Sequence, residues 1–75
     1  MDVPNHIKEI AYENGCNSVE FVKNINGIDY YSIGLLDDNG MFVPTGLPEF
    51  IVVNGDDIKI ISGNEGLELC SILYD

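Results

Sequence analysis

The hydrophobic positions of this chain change period along its length. From Asp2 to Gly15, Val3, Ile7, Ile10 and Ala11 fall at i, i+4, i+7 and i+8. One stripe at a 3.6-residue period predicts an amphipathic helix. Asp2 can cap it, Pro4 fits a first turn that needs no N–H, and Gly15 suits the left-handed residue that closes a helix. Such a short helix is marginal alone and has to dock its stripe.

From Ser18 the period moves towards 2. Val19, Phe21 and Ile25 predict a first strand, and Asn26-Gly27 signals a type I′ turn returning the chain through Ile28 and Tyr30. A two-residue turn sets Ile25 opposite Ile28, Lys23 opposite Tyr30 and Phe21 opposite Ser32. The face carrying Val19, Phe21, Ile25, Ile28 and Tyr30 is then expected to be buried. The reverse face mixes Glu20, Asn24 and Asp29 with Val22, Tyr31 and Ile33. Asp37-Asp38-Asn39-Gly40 ends the second strand. Pro44, Gly46 and Pro48 then make Val43 to Glu49 an extended loop or edge segment, because proline removes ladder donors.

Phe50 to Ile61 carries the clearest strand-turn-strand pattern, two β-branched runs around a polar turn. A four-residue Asn54 to Asp57 loop sets Val53 opposite Ile58, Ile51 opposite Ile60, Val52 opposite Lys59 and Phe50 opposite Ile61. Both faces of this hairpin are then largely apolar, as in strands inside a sheet. The last segment reads two ways. Ser62 and Glu65 have capping-box spacing, and Gly66, Leu69, Cys70 and Leu73 form a helical stripe; yet Leu67, Leu69, Ser71 and Leu73 also alternate like a strand. The helix is the preferred reading, although Gly66 costs a helix about 1 kcal/mol relative to Ala.

Asn-Gly recurs at 14, 26, 39 and 54, each time where the hydrophobic period stops, and each suits a turn or cap with positive φ. The fold class expected is α+β: an N-terminal helix, two β-hairpins forming a mainly antiparallel four-stranded sheet, and a short C-terminal helix. Two helices on one face would leave the other with an open apolar patch, the usual mark of an interaction surface. Tyr30, Tyr31, Phe50, Val52 and Ile61 are the candidate interaction residues, and Tyr12 and Tyr74 are further tyrosines of the kind enriched at interfaces.

Composition limits the possible functions. With 75 residues the chain is expected to form a single domain over 1–75, and a hydrophobic fraction of 45% is enough for it to fold. A formal charge of −10 repels phosphate backbones and anionic membranes, so direct nucleic-acid binding and membrane association are not expected. It also suits a basic protein partner. No basic region followed by an apolar run marks a secretory signal, and no apolar run is long enough for a membrane span, so cytoplasmic residence is the default. Cys16 and Cys70 lack C-x-x-C spacing and read as two buried thiols, their pairing left open.

No catalytic, cofactor or metal motif is present. From Asp37, Asn39 fits the third position of an EF-hand loop, but Met41 fails the fifth and Pro48 the twelfth. The aspartates beside Asn39-Gly40 and Asn54-Gly55 read instead as turn residues that satisfy local backbone donors. His6, the single histidine, has no ligand or acid partner at helical spacing. Leu47 to Leu73, with a proline before a strand, a hairpin turn, a glycine and a helix, resembles the C-terminal half of thioredoxin-like folds. The resemblance covers about a third of the chain, lacks the C-x-x-C and implies only a β-β-α order. The function expected is a small acidic non-enzymatic protein-interaction module that self-associates. The alternative is a nucleic-acid mimic that inhibits a DNA-binding or nuclease protein.

Overall fold

A computed structural model describes residues 3–41 and 48–74. It is an α+β fold in the order α1 (Asn5–Glu13), β1 (Ser18–Ile25), β2 (Ile28–Gly34), β3 (Glu49–Asn54), β4 (Asp57–Ile61) and α2 (Gly63–Leu73). The strands form one antiparallel sheet in the order β1-β2-β3-β4.

Helix α1 is shorter than the predicted Asp2–Gly15 span. It starts after Pro4, whose carbonyl accepts from the N–H groups of Ile7 and Lys8, and Asp2 lies outside the described residues. Its end is a Schellman motif: Cys16 N–H donates to the Ala11 carbonyl at 2.9 Å and Gly15 N–H to that of Tyr12 at 3.0 Å. Gly15 has a φ of +80°. The predicted stripe is the docking face, with Ile7 and Ala11 each 1% exposed and Val3 and Ile10 partly buried beside them.

The first hairpin turns at Asn26-Gly27 with φ of 53° and 83°, the type I′ signature, and Ile25 faces Ile28 and Lys23 faces Tyr30 as predicted. Beyond that the register shifts. Val22 is an extra residue in a β-bulge, so Phe21 faces Tyr31 and not Ser32. This corrects the predicted buried face. Val19 and Phe21 share a face with Tyr31 and Ile33, whereas Ile25, Ile28 and Tyr30 lie on the opposite one. Phe21 and Tyr31 meet edge to face with ring centroids 5.6 Å apart.

The second hairpin has the predicted register, from Phe50 opposite Ile61 to Val53 opposite Ile58. Its ladder runs one pair further, to Asn54 and Asp57, leaving Gly55-Asp56 as a two-residue turn with φ of +62° at Gly55. Glycine at the first central position matches a type II′ turn. The proline-rich stretch falls largely outside the described residues, and Glu49 is the first residue of β3. Asn17 pins the chain after β2: its side chain accepts from Leu36 N–H at 2.6 Å and donates to the Leu36 carbonyl at 3.0 Å.

The C-terminal segment is a helix. Gly66 and Leu73 are buried on the predicted stripe, with Leu69 and Cys70 half-buried between them. The capping box is not formed, since Ser62 precedes α2 but makes no side-chain cap hydrogen bond.

The two helices do not share a face, which corrects the arrangement predicted for them. Helix α1 covers Tyr31, Ile33 and Ile51; α2 lies over β3 on the other side, where Phe50 is 1% exposed and tilts against Tyr74 at 6.4 Å between ring centroids. The physical cause is in β3. Phe50 and Ile51 are consecutive, point to opposite faces and each demand cover, worth about 1.5–3 kcal/mol per fully buried side chain.

Candidate functional site

Each helix is too narrow to cover its face, and the uncovered parts differ in chemistry. On the α1 face the exposed portion is at β4, where Ile58 and Ile60 are 38% and 37% exposed. On the α2 face it lies towards β1 and β2.

There, successive Cα partners across the four strands form the row Lys23, Tyr30, Val52, Lys59. Two of the chain's three cationic side chains thus sit at the ends of one row with an apolar centre. The next row towards α2 ends in Phe50 and Ile61, and Phe50 is covered by the helix. Between helix and row runs an open groove of about 500 Å³ with a floor of Tyr30, Val52 and Ile61. Leu69 and Ile72 of α2 form its wall, and Glu65 and Glu68 rim it on the helix side. Lys59 lines a smaller adjoining depression with Ile28, Val52, Asn54 and Asp57.

The five residues singled out in the sequence therefore separate. Tyr30, Val52 and Ile61 come together in the groove, half-buried and available. Phe50 shares their face but lies beneath α2, and Tyr31 is 6% exposed beneath α1. Burial holds the Tyr31 phenol above its ordinary pKa of 10.0, with the nearby Asp29 charge adding to the effect. Tyr12 and Tyr74 are exposed. Leu69, Ile72, Glu65 and Glu68 were not among the interaction candidates, although their i, i+3, i+4 and i+7 spacing from Glu65 was readable once the segment is taken as a helix.

Of the turn aspartates, Asp37 is the one shown satisfying local backbone donors. Asp37 Oδ1 accepts from the N–H groups of Asn39 at 2.9 Å and Met41 at 3.0 Å, closing the turn after β2. Asp29 accepts from Asn24 Nδ2 across the first hairpin at 2.7 Å. His6 is exposed in the first turn of α1. Among the described residues, no group of three His, Cys, Asp or Glu side chains is placed to hold a metal ion. Both cysteines are free: Cys16 belongs to the core under α1, while Cys70 is half-buried on α2 across the sheet. Burial raises the Cys16 pKa above 9.0, with the Glu49 charge as a second cause. Among the described residues, no helix is long and apolar enough to cross a membrane.

Comparison with protein-family models, with curated proteins and with solved structures found no match to this chain.

Proposed function

We propose that this protein is a small, acidic, non-enzymatic protein-interaction module that resides in the cytoplasm, self-associates and takes a basic protein partner in the groove beside α2. The observation that carries the reading is the pairing of the half-buried floor of Tyr30, Val52 and Ile61 with the carboxylates of Glu65 and Glu68 on one rim. An apolar floor supplies affinity, and charges at the edge select the partner and steer its approach. A net charge of −10 extends that steering over the whole molecule and disfavours phosphate-bearing partners.

A nucleic-acid mimic calls for carboxylates spaced like phosphates along one face. Here Glu9 and Glu13 belong to α1, Asp37 and Asp56 to turns and Glu65 and Glu68 to α2, while the strand carboxylates divide between the faces, Asp29 and Glu49 on the α1 side and Glu20 and Asp57 on the other, a scatter that favours the groove reading.

The test compares wild-type protein with Val52→Glu and Ile72→Glu as baits in native lysate, with bound proteins identified by mass spectrometry and rebound in purified form. The expected result is a basic protein that is captured by the wild type, lost with both variants, and weakened by salt on rebinding. Equal capture by all three baits would overturn the assignment to this groove.

A further inference from the structure

We infer that β4 is the self-association edge, and that two copies pair antiparallel along it with Ile58 opposite Ile58 of the second copy. This deepens the self-associating part of the proposed function and rests on it, but it does not use the groove.

Among the described residues the sheet has two free edges, β1 and β4. They are not equivalent. β1 carries the bulge at Val22, and bulges twist an edge out of the flat geometry that pairing needs. β4 has a continuous register with β3 from Asp57 to Ile61.

The hairpin turn determines which backbone groups β4 offers. The pair flanking a two-residue turn exchanges both hydrogen bonds, and bonded and non-bonded pairs then alternate. Asp57, Lys59 and Ile61 therefore direct their N–H and C=O groups to β3, leaving those of Ile58 and Ile60 at the open edge. These two residues also carry the exposed isoleucine side chains of the α1 face. Free backbone groups and uncovered apolar side chains thus coincide on the same two residues.

Charge selects the occupant and the register. Asp57 and Lys59 stand symmetrically about Ile58, so β4 is locally neutral in a chain of net charge −10. In a two-fold antiparallel pair centred on Ile58, each Asp57 lies directly opposite Lys59 of the second copy, on both sides of the axis. These are non-bonded pairs, in which side chains approach most closely. Centring on Lys59 would instead set the two lysines against each other, and centring on Ile60 would leave each lysine opposite Ile61.

The experiment is sedimentation equilibrium of the full chain, from low to upper micromolar concentration and at rising salt. The wild type is expected to form a weak dimer that tightens with salt, as screening relieves the repulsion between two acidic molecules. Asp57→Lys and Lys59→Asp are each expected to weaken dimerisation by about tenfold or more, since each sets like charges opposite one another. Asp57→Lys also makes the chain less acidic, so a general charge effect would tighten its association; tightening overturns the register. An equimolar mixture of the two variants is expected to form a heterodimer, because every opposed pair is then of opposite sign. Failure of the mixture to associate, or a wild type that stays monomeric at every salt concentration, overturns the proposal. Circular dichroism confirms that each variant is folded. Ile72→Glu, the groove variant that lies on α2 and not opposite Lys59, is expected to dimerise as the wild type does, so the two readings fail separately.

Discussion

Gly66 of α2 rests against the main-chain carbonyl of Pro48, and a Cβ at this position would collide with that oxygen. A glycine in a helix interior is ordinarily a weakness of about 1 kcal/mol relative to alanine. Here its missing side chain lets α2 settle over β3 and bury Phe50 and Leu73. Gly66→Ala is therefore expected to destabilise the protein by roughly 1–3 kcal/mol, the range for overpacking, despite its better helix propensity. Urea denaturation would measure it. A gain in stability would show that α2 can back away from Pro48 at little cost.

What was legible in the sequence was mostly local. All four Asn-Gly dipeptides place their glycine at positive φ, at Gly15, Gly27, Gly40 and Gly55, because turn and cap chemistry acts over a few residues. The Phe50 to Ile61 register was readable because a short polar turn joins two apolar runs that pair without a bulge. The bulge was not read, because Val19, Phe21 and Ile25 stand at even spacing and look like one face of a regular strand. The apolar Val22, Tyr31 and Ile33, on the face expected to lie opposite the buried one, were the sign of that shift. The division of the helices between two faces was hidden for another reason. It depends on which face each connection delivers its helix to, and no local pattern encodes that. Of the candidate site, the floor was readable from strand alternation, whereas its wall and rim required α2 to be placed.

Val22 itself offers a direct test of what the bulge does. Removing it would leave Phe21 opposite Tyr31 and Lys23 opposite Tyr30 in a regular ladder, with every other side chain of β1 on its present face. Deletion of Val22 is thus expected to be tolerated, at a cost of about 1–2 kcal/mol from one half-buried side chain. It should also straighten the β1 edge and increase aggregation, since bulges are among the devices that protect such edges. Thermal denaturation and light scattering would report the two effects. An unfolded deletion variant would mean that the bulge is needed for the sheet itself.

The two thiols should differ in reactivity. The thiolate is the reactive species, and Cys16 is 6% exposed with a pKa raised first by burial and then by Glu49. Cys70 is half-buried on α2. Brief treatment with iodoacetamide at neutral pH should modify Cys70 first, with Cys16 reacting at a comparable rate only in denaturant. Peptide mass spectrometry distinguishes them. Equal labelling in native buffer would mean that the Schellman end of α1 opens readily. The sheet stands between the two sulfurs, so an intact protein under oxidising conditions should keep both as thiols.

Buried Tyr31 and Cys16 together set an alkaline limit on stability. Both are acids whose folded pKa lies above the ordinary value, 10.0 for the phenol and 9.0 for the thiol, and in each case burial is the main cause. The folded state then holds these protons more tightly than the unfolded chain does. Stability is complete below pH 9 and falls as pH rises, first through the thiol and above pH 10 through the phenol, because the unfolded state binds fewer protons. Tyr31→Phe keeps the edge-to-face contact with Phe21 and removes the titrating hydroxyl. At neutral pH its stability should lie within about 1 kcal/mol of the wild type, as for a conservative change. Above pH 10 its melting temperature should decline less steeply. Parallel declines in the two proteins, followed by circular dichroism, would show that Tyr31 keeps its ordinary acidity and that the alkaline limit arises elsewhere.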